Sequence, residues 1–464
     1  MKRSAILLLL LASSAQGAIN AGTVWECRST GNLANGGGYY NRNPGTSVDY
    51  SQQNAAQLSL TDLACVTTTT TLTSATGGFT AAMAGNVIKI TSGTNFIAGW
   101  YEITAYTNTN TVTLDRTPVT GSNGSSGVGK VGGGIALGSD TIDNEFWVQV
   151  VAGNTIYVTG TWTFSESVNA SAADGTNVLP IKLIGYKTTR ATTPYLADQP
   201  DWTQGAFYFL PGDYWIVRNI HAIGSGSSGV FGGDIAMPVI TNCQFLNNSG
   251  TAGRSALAVG ATAIVSGCDI SSTNGNAIYV QGAALRVVNC RIHDSAVGMT
   301  NYAQLCVVGN VFYNVVTALP VSTTSLLICY GNTFNTGATG ISGNVAGVCV
   351  MNNIIDNYST AEVNWTTDYV GCWANNCWGE EVPTLTNISN ALGPGNLSSD
   401  PGLVDPAGGN FTVPIGSVVL DAGSQVDTNL GLVGDYKWNI GADQGDHAAA
   451  GGGSSEKPFN PGLY

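Results

Sequence analysis

The amino-acid sequence predicts an all-β chain: a parallel β-helix (a solenoid) preceded by a small N-terminal β domain or cap. Three observations carry this. The first is composition. Of 464 residues, 61 are Gly and only 10% are charged, against roughly 7% Gly and about 25% charged residues in an average soluble domain. Surface helices would need Glu, Lys and Arg in quantity. The second is a tandem repeat. Its aligned column runs Cys243, Cys268, Cys290, Asn310, Asn332 and Asn353, in steps of 25, 22, 20, 22 and 21 residues. The third is the character of each unit. Two positions after that column comes an apolar one, Phe245, Ile270, Ile292, Phe312, Phe334 and Ile355, and a second short apolar run follows at Leu257/Val259, Ile278/Val280, Leu319/Val321, Ile341 and Val363. Short strands, Gly turns and no helical period at this unit length read as solenoid coils.

Charge bounds the function. Twenty-nine acidic against 16 basic residues give a net charge of −13, which excludes a nucleic-acid footprint. With 43% apolar residues the chain is not disordered either.

Residues 1–17 read as a secretory signal. Lys2 and Arg3 form the charged region, Ile6 to Ala12 the apolar one, and Ala15-Gln16-Gly17 the cleavage site. The apolar run falls short of the ~20 residues that span a bilayer; an uncleaved anchor is the alternative. The expected location is extracellular, or on a cell or virion surface, with no membrane span in the mature chain. Residues 18–120 alternate in a Thr-rich pattern (Val87 to Ile90, Trp100 to Ile103, Thr111 to Leu114) and predict a small β region. Residues 121–144 are Gly/Ser-rich and predict a linker. Residues 145–445 form the solenoid with a C-terminal closing segment, and 446–464 a flexible tail.

In a solenoid like residues stack on like, so rows of one charge would repel along the axis, and Gly and Asn are needed where turns demand positive φ. An inward Asn column can hydrogen-bond neighbouring coils as a ladder, and Cys at that place is a small apolar filler. Stacked Cα atoms ~4.8 Å apart also fall within the disulfide window of about 4.4–6.8 Å. Buried free thiols and a Cys243–Cys268 or Cys268–Cys290 bridge are therefore both open. Cys27 with Cys65, and Cys372 with Cys377, are further candidate pairs in an exported chain. No CxxC pair suggests a metal site.

Two further stretches add to the repeat. The opening coil reads Val150-Val151-Ala152-Gly153-Asn154-Thr155-Ile156-Tyr157-Val158, then Gly160-Thr161-Trp162. The exit reads Asp400-Pro401-Gly402-Leu403-Val404-Asp405-Pro406, then Leu420-Asp421-Ala422-Gly423 and Asn439-Ile440-Gly441-Ala442-Asp443. Over 145–445 the chain thus resembles the pectate-lyase-like right-handed parallel β-helix superfamily. The resemblance implies a right-handed helix, but this architecture serves lyases, hydrolases, esterases, adhesins and phage tail proteins alike. The Gly99-Trp100-Tyr101-Glu102-Ile103-Thr104 stretch is similar to repeats of phage tail and virion-associated proteins.

The hydrolases of this superfamily carry three inward aspartates, a Gly-His-Gly and an Arg-x-Lys; this sequence has none of them. Its carboxylate candidates are Asp234, Asp269, Asp294 and Asp356. A lyase needs a base, and a partner for the uronate carboxylate that is often Ca²⁺. The candidate catalytic set is Arg218, His221, Arg291, His293 and Asp294. Asp269 and Arg291 share an outward column and are expected to pair as ions. Candidate ligand-binding rings are Tyr214, Trp215, Tyr279, Tyr302 and Tyr313. Trp365, Trp373 and Trp378 read as cover for the end of the core, with a sugar-facing cluster as the alternative. The first functional reading is a non-enzymatic exported solenoid that binds or displays at a surface and faces carbohydrate, as an adhesin, appendage or virion protein. The alternatives are a polysaccharide lyase or glycoside hydrolase, and a purely structural subunit. The partners this implies are a polysaccharide or surface glycan, or further copies of the chain, as in a trimer. No cofactor is expected, and Ca²⁺ only for a lyase.

Overall fold

The computed structural model describes residues 19–419, apart from 138–144, 165–167, 191–198, 205–208, 225–230, 234–236, 250–251, 253, 261, 281–283, 301–303, 322–325, 344–347, 366–371, 380–394, 407–409, 412 and 415–416. The signal segment, Asp234, Tyr302, the closing segment beyond 419 and the tail lie outside the described residues. The chain divides into two compact units, residues 1–137 with 145–156, and the remainder. Among the described residues no helix is long and apolar enough to cross a membrane.

In the first unit six strands close an antiparallel barrel: Leu58–Cys65, Thr71–Ser74, Val87–Thr94, Gly99–Asn108, Thr111–Leu114 and Gly124–Val131. Alternation drives it, because Leu60, Leu63, Leu72, Ile88, Ile90, Ile103, Val112 and Leu114 all point into one core. The expected linker is corrected here. Residues 124–131 are a barrel strand, paired with both Leu58–Cys65 and Val87–Thr94. Its glycines are clearance: a Cβ on Gly127 would lie 2.6 Å from Phe96 Cε2 and 2.8 Å from Leu63 Cβ. Buried Lys89 sits with its Nζ 3.3 Å from the centroid of the Trp100 ring and pairs with Glu145.

The second unit is a stack of parallel strands in three ladders. The first ladder runs from Thr155–Thr159 through Ile181–Gly185, Trp215–Arg218 and Val239–Thr241 to Cys372–Ala374. The second contains Asp201–Gln204, His221–Gly224, Gln244–Asn247 and Asp269–Ser272; the third contains Phe231–Gly233, Leu257–Val259 and Asn276–Val280. From Arg291–Thr300 onward single long strands (Val311–Val321, Thr333–Gly343, Ile354–Trp365) run through both the second and third ladders. The predicted apolar columns are the core: Phe245, Ile270, Ile292, Phe312, Phe334 and Ile355 are wholly buried, as are Leu257, Ile278, Leu319, Ile341 and Val363.

The turn between first and second ladders holds one residue per coil at positive φ: Asn219, Asn242, Gly267, Asn289, Gly309, Gly331, Asn352 and Asn375. Only Gly and Asn take this conformation routinely. The next position is the Cys/Asn column, and it is the expected ladder. Asn310 N donates to Asn332 Oδ1 (2.9 Å), Asn332 N to Asn353 Oδ1 (2.9 Å) and Asn353 N to Asn376 Oδ1 (3.0 Å). It continues past the predicted column, with Asn376 N donating to Asn396 Oδ1 at 2.9 Å.

All ten cysteines are free thiols, which corrects the proposed bridges. Cys243, Cys268 and Cys290 are buried fillers whose Sγ atoms reach the carbonyls of Thr241, Ser266 and Val288 at 3.3–3.4 Å. Cys65 lies in the barrel core and Cys27 in the strand Val24–Arg28. Buried Cys377 donates to Ser399 O at 3.0 Å, while Cys372 is exposed and stands in register with Cys349. Trp365, Trp373 and Trp378 pack as a buried cluster, with centroids 5.8 and 6.2 Å apart in sequence, as the sequence predicts.

Candidate functional site

Residues of the second ladder that alternate with the buried column point outward, and parallel pairing stacks them. One row reads Asp201, His221, Gln244, Asp269, Arg291. Two residues on, a second row reads Ser271, His293, Tyr313, Asn335, Asp356. Three of the five predicted catalytic residues, Arg291, His293 and Asp294, meet where these rows run side by side.

His293 is the centre. Its Nε2 lies 2.7 Å from Asp269 Oδ1 and its Nδ1 2.8 Å from Asp294 Oδ2. The Tyr313 ring stacks on the imidazole at 4.8 Å and an interplanar angle of 7°. Arg291 reaches the Tyr313 hydroxyl at 3.3 Å and lies over its ring, 5.6 Å from the centroid. Asp294 stands at φ +46 in a second turn column with Asn314, Thr336 and Asn357, and Asn314 Nδ2 donates to its other oxygen. Burial works to lower the His293 pKa, but hydrogen bonds to Asp269 and Asp294 outweigh it and raise the pKa above the ordinary value. Burial works to raise the Asp294 pKa, and the bonds from His293 and Asn314 outweigh that and lower it.

The expected Asp269–Arg291 ion pair is therefore replaced: they are register partners, but Asp269 pairs with His293. The diagonal neighbour on the next strand is also within side-chain reach, and the imidazole supplies two donors where it is needed.

The other candidates lie elsewhere. His221 is on the same face three coils earlier, with Nδ1 2.9 Å from Asp201 Oδ1 and Nε2 buried without a hydrogen-bond partner. Arg218 belongs to the first ladder. Trp215 is a core residue, wholly buried and donating to Ala173 O at 2.7 Å, so it is removed from the ligand-binding rings. Tyr214 occupies a turn at φ +56, and Tyr279 is on a third-ladder strand. Among the described rings, Tyr313 alone joins the His293 cluster.

A cleft of about 510 Å³ lies further along the solenoid, lined by Asp356, Asn357, Tyr358, Ser359, Glu362, Trp378 and Asp400. Asn335 and Asn357 donate to Asp356 Oδ2 at 3.3 and 3.2 Å. The Tyr358 hydroxyl is buried there without a hydrogen-bond partner. Of this set only Asp356 was a sequence candidate. Glu362 and Asp400 are brought to it by folding, and no spacing in the chain marks them.

Residues 228–377 match the family model described as right handed beta helix region. No curated protein matches the chain. The solenoid is a right-handed β-helix, and the matched stretch contains the whole His293 cluster. The fold does not assign chemistry, so function has to be read from these side chains.

Proposed function

We propose that the chain is an exported β-solenoid that binds a polysaccharide or surface glycan on the outward face of its second ladder, without cleaving it. One observation carries the reading: both ring nitrogens of His293 are engaged by carboxylates, at 2.7 and 2.8 Å. A general base needs a free lone pair on the reacting side, and this imidazole offers none. The His221 Nε2 is shut from solvent. What the face does offer is hydrogen-bonding groups: the Tyr313 hydroxyl, its ring already packed by His293, Arg291 and Phe411, stands beside Arg291, Asp294 and Asn314, a set that suits the hydroxyl rim of a sugar. The resemblance to pectate-lyase-like proteins supports a saccharide partner.

Glycan-array binding tests this. The native protein is expected to retain a defined set of acidic or neutral glycans, and Tyr313→Ala to lower that binding tenfold or more. Assays for unsaturated uronates and for new reducing ends are expected to stay silent. Turnover in either overturns the non-enzymatic reading. One observation favours a hydrolase as the second reading: three carboxylates line one cleft, and glycoside hydrolysis needs two. Loss of reducing-end release in Asp356→Asn would establish it.

A further inference from the structure

We propose that Cys349 and Cys372 are a modification site, a thiol pair that a small-molecule disulfide such as oxidised glutathione closes into a bond between neighbouring coils. The two residues are direct partners across parallel strands, Val348–Met351 and Cys372–Ala374. In-register Cα atoms on adjacent strands are ~4.8 Å apart, inside the range a disulfide spans, about 4.4–6.8 Å. Access separates this pair from the other stacked cysteines: Cys372 is exposed and Cys349 half-buried, whereas Cys243, Cys268 and Cys290 are at most 2% exposed.

The chemistry has an order. Burial holds the Cys349 thiol up at about 11, with Cys372 adding to the rise, so the exposed Cys372 thiolate attacks first. It displaces one reduced glutathione and forms a mixed disulfide. The Cys349 sulfur then attacks the Cys372 sulfur and displaces the second glutathione. The protein loses two thiol protons and two electrons; the reagent gains both as two thiols.

The consequence is mechanical. Cys372–Ala374 is the last strand of the first ladder among the described residues, and Asn396 Nδ2 donates to its Trp373 O at 2.8 Å. The bond would fix that strand to the coil before it, beside the tryptophan cluster.

The test uses the full chain, incubated with oxidised glutathione and measured by intact mass and non-reduced peptide mapping. The expected result is loss of two hydrogen atoms per chain, mapped to a Cys349–Cys372 link. Cys349→Ser and Cys372→Ser should abolish it, and Cys306→Ser and Cys377→Ser should leave it. In the unsubstituted protein, iodoacetamide should label Cys372 before oxidation and neither thiol afterwards. An unchanged mass, continued labelling, or a link mapped among Cys243, Cys268 and Cys290 or to Cys377 overturns the proposal. Glycan binding does not enter this readout.

Discussion

Asn332 shows how much one side chain carries in a stacked architecture. Its Oδ1 accepts from Asn310 N and Asn310 Nδ2, at 2.9 and 3.0 Å, and its own Nδ2 donates to Val307 O at 2.9 Å. Asn332→Ala strands buried donors on the neighbouring coil, and a buried polar group left without a partner costs about 1–3 kcal/mol. Urea denaturation should show a loss of about 2–4 kcal/mol. Cys268→Ala deletes only a filler and should cost less, about 1–2 kcal/mol. His293 predicts a pH dependence. Its folded pKa is raised above the unfolded value of about 6.5. The contribution to stability is thus complete below about pH 6.5 and is lost as pH rises through the folded pKa. Denaturation midpoints between pH 6 and 9 should fall in the native protein and stay flat in His293→Gln over that window. The Asn column was legible in the sequence because stacking repeats a chemical demand at a fixed interval. The His293 site was only half legible. Asp294 is adjacent in the chain, but Asp269 reaches the ring on a diagonal, and counting along columns paired it with Arg291 instead.

At the scale of strands and turns, two devices recur. The turn column at positive φ explains why Asn and Gly alternate before the ladder. A β-branched residue is poorly tolerated there, so Asn289→Val, at φ +52, should cost about 1–2 kcal/mol, while Asn289→Gly should be nearly neutral. Equilibrium unfolding of the pair checks it. The other device is the glycine strand of the barrel, Gly124–Val131. Its smallness reads as flexibility when taken along the chain, since Leu63 of another strand and Phe96 of a connecting turn fill its space. That is why a linker was expected where a wall of the barrel stands. Gly127→Val should destabilise the barrel by about 1–3 kcal/mol through overpacking, seen as a lowered thermal midpoint.

Across the molecule, a solenoid's stability approximates a sum of coil and nearest-neighbour terms. Removing residues 310–331 joins Gly309 to Asn332, so a positive-φ glycine still precedes a ladder asparagine, as Gly331 did. The shortened chain is expected to keep its β circular-dichroism spectrum and a cooperative transition at lower stability. A spectrum of unfolded chain would contradict register-by-register stacking. The solenoid was readable at this scale from period alone, its right hand only through the family resemblance; the acidic cleft was not, because Asp400 of the closing segment reaches Asp356 and Glu362 of the strand Ile354–Trp365 only through folding. The asparagine ladder also has a direction. Each carboxamide oxygen accepts from the coil before it, and the series begins where Asn310 serves Cys290 N at 2.8 Å. Beyond it a thiol takes the carboxamide's place, and Cys290 Sγ accepts from Cys268 N at 3.4 Å, a weak acceptor where an amide oxygen is a strong one. Tandem duplication of a coil between 290 and 396 therefore adds carboxamide bonds at both flanks, whereas duplication among the thiol coils adds only weak ones. The molecule has a built-in segment in which it can lengthen, and another in which lengthening gains little.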